Sequence, residues 1–244
     1  MKNKNILITG AARRIGASCA RYLHDEGCNV FLHYRSSQQE ALSLCEELNH
    51  KRPGSARALQ ADLLSMKELK GLAEQASLAW DGIDVLVNNA STFYPSAVSE
   101  VTETQWDELL GSNLKAPFFL VQALLPSLKA RRGCIVNIAD IHAERGLKAF
   151  PVYSIAKAGL VAMTRILAKE LGPEVRVNAV SPGAILWPEN GVPESAKQEI
   201  VERVALKRSG APQDIARAVK FLIWEADYIT GQLITIDGGR TLFC

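Results

Sequence analysis

The sequence predicts an α/β fold, a single domain built as a doubly wound parallel sheet with helices on both faces. Three observations predict it. Short apolar runs suited to buried strands alternate with longer segments of helical periodicity. The first apolar run ends in a glycine turn that leads directly into an amphipathic stretch. Finally, the 244 residues, 48% of them hydrophobic, contain no linker or composition shift and suit one sizeable core.

Taken in order, Asn5-Ile6-Leu7-Ile8-Thr9 supplies the first strand, with its apolar run at 6–8. Gly10-Ala11-Ala12-Arg13-Arg14-Ile15-Gly16 then opens a helix that runs to about Glu26. Strand, glycine turn and helix start form the Rossmann-type arrangement, in which backbone N–H groups and a helix N-terminus face a dinucleotide pyrophosphate. The literal G-x-G-x-x-G string is absent, because Arg14 stands where a middle glycine is expected. Two adjacent arginines at the mouth of an anion site are more than an ordinary turn requires. Further strand-like runs follow at 30–32, 85–87, 134–138, 175–180 and 233–236, with a third strand ending before Asp62. Helical patterns cover 38–49, 66–80, 104–112, 153–171 and 212–224. Val85-Leu86-Val87 reads as a buried strand ending in the polar turn Asn88-Asn89-Ala90. Asn113 sits in a later helical segment, where an amide marks a kink or a water site.

Charge and composition exclude other classes. A formal net charge of +2 leaves no nucleic-acid footprint. Cys19, Cys28, Cys45, Cys134 and Cys244 form no C-x-x-C or Cys/His cluster, so reduced thiols are expected and no metal site. No signal peptide or membrane-length apolar run is present, which makes the cytoplasm the expected location. His33 and His142 flank candidate functional segments, where a hydrogen-bonded structural histidine is the commoner role.

The chemistry is carried by Tyr153-Ser154-Ile155-Ala156-Lys157. Tyr and Lys at i and i+4 share a helix face, so the ammonium can sit beside the phenol and favour its ionised form. With these motifs in order, the chain resembles the short-chain dehydrogenase/reductase family from about Lys4 to Gly239. The carrying segments are Thr9-Gly10 through Gly16, Asn88-Asn89-Ala90, Asn113, Tyr153 and Lys157, Pro182-Gly183, Gly231-Gln232 and Asp237-Gly238-Gly239. The resemblance implies a cofactor site formed by Gly10, Arg13, Arg14, Ile15, Gly16, Asn89, Ala90, Pro182 and Gly183. Lys157 would hold the nicotinamide ribose, and Asn113 would order a water near it.

Charge argues for NADPH as the cofactor. The second strand ends His33-Tyr34-Arg35-Ser36-Ser37, placing a cation and two hydroxyls where an NAD-preferring fold has a carboxylate. Arg13 can approach the same place, and a guanidinium binds two phosphate oxygens at once. Asp62, followed by Leu63, either faces the adenine or acts as a simple turn cap.

Asp140, thirteen residues before Tyr153, narrows the substrate. The resemblance places a hydrogen-bond-donating serine there in carbonyl reductases, and an ionised aspartate cannot donate to a developing alkoxide. Its carboxylate would oppose ionisation of Tyr153 and keep the phenol an acid, while Lys157 pulls the other way. A substrate rich in N–H donors fits better. Within the family the chain looks like a pteridine reductase, on the glycine turn, residues 33–37, Asn88 through Pro95, the Asp140/Tyr153/Lys157 triad and Pro182 through Pro188. Thr92 departs mildly from that pattern.

This resemblance implies that Phe93 and the nicotinamide sandwich a flat pterin or folate ring. Arg14 and Ser91 would reach cofactor phosphates and pterin polar atoms, and Asp140 and Tyr153 would face the reducing edge. Trp187 either walls the pocket or packs a subunit contact. It also implies a homotetramer joined through the helix containing Tyr153 and the one around 104–130. The stretch 184–200, with Glu189 and Pro193, is read as a mobile lid. The alternatives are a carbonyl or 3-oxoacyl reductase and, more remotely, a non-enzymatic NADPH-binding module.

Overall fold

The computed structural model describes residues 4–187, 191 and 193–243. Its strands are β1 (Asn5–Ile8), β2 (Asn29–Tyr34), β3 (Ala56–Gln60), β4 (Val85–Asn88), β5 (Cys134–Ile138), β6 (Arg176–Pro182) and β7 (Leu233–Ile236). All pair in parallel, in the order β3-β2-β1-β4-β5-β6-β7. The helices are α1 (Arg14–Asp25), α2 (Gln38–Lys51), α3 (Met66–Leu78), α4 (Glu103–Leu110), α5 (Ala116–Ala130), α6 (His142–Arg145), α7 (Pro151–Leu171), α8 (Glu194–Glu202) and α9 (Pro212–Trp224).

Strand periodicity sorts the core into two layers. Ile6, Ile8, Val30, Leu32, Val85 and Val87 face one side, where they meet Leu23 of α1, Leu44 of α2 and Val219 of α9. The alternating Leu7, Phe31, Leu86, Ile135 and Val177 face the other, against Leu72 of α3, Leu124 of α5 and Leu160 of α7. Burial on both faces is why these strands read as continuous apolar runs. The chain order reverses at β1, which has β2 on one side and β4 on the other. Connections diverge there, opening a crevice at the carboxyl ends of the strands.

Several element boundaries differ from the sequence expectation for local reasons. The helix expected over 66–80 stops at Leu78, because Trp80 (φ 48°) and Asp81 (φ 63°) adopt left-handed backbone. The helix read as starting at Tyr153 begins at Pro151, whose fixed φ and missing N–H suit a first turn. α4 starts with a capping box: Gln105 N–H donates to the Thr102 hydroxyl at 3.2 Å, and Thr102 N–H donates to the Gln105 side chain at 3.0 Å. It gives way at Gly111–Lys115 to a π-helical turn. The stretch 184–200, expected to be a lid loop, contains most of α8, so the loop reading is corrected for Glu194 onward. Pro188, Glu189 and Cys244 lie outside the described residues.

Candidate active site

The glycine turn is held from three directions. Thr9 Oγ1 accepts the backbone N–H groups of Asn89 and Ala90, each at 2.9 Å, locking the ends of β1 and β4 together. Asn89 Nδ2 donates to the carbonyls of Thr9 at 2.8 Å and Gly10 at 3.0 Å. A Cβ on Gly10 would lie 2.9 Å from Ala90 Cα, and Gly10 has φ +61°. A Cβ on Gly16 would collide with the Gly10 carbonyl, so both positions exclude any larger residue. Behind the turn, Gly10 N–H donates to His33 Nδ1 at 3.1 Å, and His33 Nε2 lies 3.0 Å from the Ala61 carbonyl. Nδ1 must therefore accept, which puts the proton on Nε2. Burial lowers the His33 pKa, favouring the same neutral form.

This geometry corrects one expectation about the second strand. His33 is 1% and Tyr34 6% exposed, so these side chains support the turn from inside. Arg35 and Ser36 are exposed and Ser37 is half-buried, leaving these three at the surface of the crevice. Arg35 Nε lies 3.9 Å from Asp62 Oδ2, and its Nη1 is 3.4 Å from Glu108 Oε1. Asp62 also acts as a turn cap, its Oδ1 accepting Leu64 N–H at 3.0 Å, while Leu63 is buried. Arg13 sits 3.9 Å from Glu40.

Arg14 shows why a glycine is expected at its position: its φ is +56°. An L-residue there costs about 1–2 kcal/mol. The side chain reaches across to the loop after β6, donating to the Trp187 carbonyl at 3.1 Å and the Leu186 carbonyl at 3.5 Å. That loop leaves the sheet through Pro182 and Gly183, with Gly183 N–H bonded to the Ile236 carbonyl. Arg14→Gly should therefore raise stability by about 1 kcal/mol while loosening the loop and raising KM for substrate. A thermal melt with no gain would show that the backbone strain is relieved elsewhere.

The candidate catalytic residues come together where β5 ends and α7 passes. Tyr153 and Lys157 lie on the buried face of α7, 5% and 3% exposed. The Tyr153 hydroxyl donates to Asp140 Oδ2 at 2.8 Å, and Asp140 Oδ1 accepts His142 N–H at 2.8 Å. Burial and then the Asp140 carboxylate push the Tyr153 pKa well above 10, while the neighbouring Ser91 side chain works the other way. The expectation that Lys157 would draw it down is not met. Its Nζ sits 5.7 Å from the phenol ring centroid and donates to the Ile138 carbonyl at 2.9 Å. Burial lowers the Lys157 pKa to about 8, against the opposing pull of Asp140.

That value predicts a pH limit. Lys157 carries its charge below about 8 and loses it above, so any step that needs the ammonium should weaken as pH rises through about 8. A kcat profile flat from pH 7 to 10 would contradict a cationic role. The same shift disfavours folding below about 8 and ceases to do so as pH approaches 10.5, where the unfolded lysine also loses its proton.

Asn113 occupies the centre of the π-helical turn, a frequent device at functional sites. Its Nδ2 donates to the Leu109 and Thr92 carbonyls, each at 2.9 Å, and its Oδ1 accepts from Ser91 at 2.7 Å. It thereby ties the segment after β4 to the helix. Phe93 is 45% exposed, stacked on Phe150 at 4.5 Å and set edge-on to Tyr153 at 4.8 Å. Trp187 is half-buried, and its carbonyl accepts from Arg14. Phe150, Tyr94, Glu108 and Arg240 also reach the site and were missed from sequence. Arg240 is near enough for the Asp140 charge to oppose the lowering of its pKa by burial. The one available signal was Phe150 preceding Pro151 at the start of the tyrosine helix.

Among the described residues, no group of three His, Cys, Asp or Glu side chains gathers as a metal site, and no helix is long and apolar enough to cross a membrane. Cys19, Cys28, Cys45 and Cys134 are unpaired. A crowded glycine turn at a switch point, with surface arginines at one end and a buried Tyr–Lys pair at the other, fits an extended phosphorylated dinucleotide. Fold and site together define an NAD(P)-dependent oxidoreductase.

The comparisons with known proteins agree with that class. A family model described as enoyl-(acyl carrier protein) reductase matches residues 10–241. The 3-oxoacyl-(acyl-carrier-protein) reductase of Staphylococcus epidermidis is 36% identical over 241 residues, 97% of this chain and 98% of that relative. Pteridine reductase 1 of Leishmania tarentolae is 35% identical over 277 residues, covering 97% of this chain and 96% of that relative. A solved structure of a blue fluorescent protein from a metagenomic library, in complex with NADPH, superposes with a TM-score of 0.91 at 35% identity, over 97% of each chain. The chain belongs to the short-chain dehydrogenase/reductase family.

Proposed function

We propose that the protein is an NADPH-dependent pteridine reductase acting on a dihydropterin or dihydrofolate ring. One observation carries the reading: the Tyr153 hydroxyl donates to the carboxylate of Asp140 at 2.8 Å. A carboxylate beside the acid is poorly suited to a ketone oxygen that becomes an anion, and well suited to accepting N–H bonds from a flat heterocycle. Phe93 supports it as an exposed aromatic surface next to Tyr153.

Arg35, Ser36 and Ser37, with Arg13, would hold the 2′-phosphate of NADPH, and the backbone of Gly10 to Gly16 the pyrophosphate. Bound NADPH supplies a hydride to an electron-poor carbon of the substrate. Tyr153, kept protonated by burial and by Asp140, holds the proton for the adjacent ring nitrogen. Tyr153 gives that proton to the ring nitrogen, while Asp140 orients the ring through its N–H groups and relays a proton from water that restores the phenol. Lys157 would hold the nicotinamide ribose, and Asn113 fixes the Ser91–Thr92 backbone at the pocket edge. Arg35→Ala should weaken NADPH binding about 10–100-fold while changing NADH binding less than about threefold. Fluorescence titration of both cofactors checks this, and equal losses would contradict a phosphate-reading role.

We also propose that the chain forms a homotetramer. A groove of about 1110 Å³ runs over α4, α5 and α7, and it includes the exposed apolar residues Phe118 and Ile166, 43% and 61% exposed. Apolar exposure of this kind is typical of a subunit contact.

A 3-oxoacyl thioester is the second reading, favoured by the identity to the staphylococcal reductases, which equals that to the pteridine reductase within one per cent. NADPH oxidation with dihydrobiopterin, dihydrofolate, simple ketones and acetoacetyl thioester separates the two. Turnover of the pterins supports the proposal, and turnover of the thioester alone overturns it.

A further inference from the structure

Glu108 has two carboxylate oxygens, and they face different sites. Oε1 is 3.4 Å from Arg35 Nη1 at the adenosine end of the crevice. Oε2 accepts the hydroxyl of Tyr94 at 3.0 Å, while the Gln105 carbonyl is a longer alternative acceptor at 3.3 Å. Tyr94 follows Phe93 directly and packs against Val152, Tyr153 and Leu109. One side chain of α4 thus bridges the arginine assigned to the cofactor phosphate and the segment that walls the substrate pocket.

The two arms differ in strength and environment. The Arg35 arm is solvated, with side chains 54% and 31% exposed, and ion pairs of this kind contribute little. A charge-assisted bond from a guanidinium to a phosphate is stronger, and the planar donors of arginine can engage two oxygens at once. A 2′-phosphate would therefore win Arg35 from Glu108. The Tyr94 arm lies in a partly buried cluster, where a hydrogen bond to a charged acceptor is worth more. Once Arg35 is taken and an anion stands nearby, the Glu108 carboxylate has Tyr94 as its remaining charge-stabilising donor.

We propose that Glu108 is a positioning residue that couples the 2′-phosphate of the cofactor to the order of the substrate-side segment 91–98, so that NADP(H) readies the pocket and NAD(H) does not. This rests on the reading of Arg35 as the phosphate-binding arginine. Binding order follows: phosphorylated cofactor first, substrate second. The coupling is reciprocal, so a pocket ligand should also favour NADP over NAD.

Amide hydrogen exchange of the full-length protein with saturating NADP⁺ or NAD⁺ tests this without depending on the substrate's identity. Segment 91–98 of the wild type should exchange at least about fivefold more slowly with NADP⁺ than with NAD⁺. Glu108→Gln and Tyr94→Phe should each abolish that difference, and neither should lose cofactor binding. A role confined to packing would change exchange equally with both cofactors. Equal protection in the wild type, or a difference that persists in Tyr94→Phe, overturns the coupling. If Arg35→Ala keeps the full preference for NADPH, the cofactor-site reading and the coupling built on it both fall. If that preference is lost while the wild type shows equal protection, only the coupling falls.

Discussion

Asp140→Ser should lower kcat for the proposed dihydropterin substrate by about 10²-fold or more, while the NADPH dissociation constant should shift less than about threefold. The asymmetry follows from position. Asp140 stands at the end of β5, where it accepts from the Tyr153 hydroxyl and the His142 N–H, at the opposite end of the crevice from Arg35. A serine would still cap the turn and accept from Tyr153. It would lack the charge that keeps the phenol protonated and accepts N–H bonds from the heterocycle. The same substitution supplies a donor suited to a developing alkoxide, so turnover of simple ketones should rise. Stopped-flow NADPH binding and steady-state turnover on both substrate classes check this. Equal losses in binding and turnover would remove the role given to the carboxylate.

Tyr153→Phe lowers turnover by about 10²- to 10⁴-fold, the range expected when a positioned acid is lost. The ring of Tyr153 packs with Leu109, Val152 and Phe93, and phenylalanine refills that space. Its hydroxyl has one carboxylate partner, which stays half-exposed and accepts water in its place, so stability should change by no more than about 1 kcal/mol. Retained turnover with an unchanged melt would move the proton source to Asp140 or water.

The sheet was legible because both of its faces are buried, so most of its strands write themselves as unbroken apolar runs. β3 was not among those runs: it lies at the sheet edge, and Arg57 and Gln60 interrupt its apolar residues. Tyr153 and Lys157 were legible because their i, i+4 spacing puts both on one helix face, whereas Asp140 was legible only through the family resemblance. His33 was misplaced for a local reason. It lies two residues before Arg35, yet His33 is still inside β2 and bonded to the Gly10 N–H, whereas β2 ends at Tyr34 and Arg35 lies beyond it, exposed. Phe150 and Glu108 were missed because their partners, Phe93, Arg35 and Tyr94, reach them only through the tertiary fold.

The proposed substrate class rests on Asp140, and a competition tests it most directly. With equimolar dihydrobiopterin and acetoacetyl thioester and limiting NADPH, the account expects tetrahydrobiopterin as the dominant product. A mixture dominated by the 3-hydroxyacyl thioester would contradict it and make the protein a 3-oxoacyl reductase with an aspartate in the serine position.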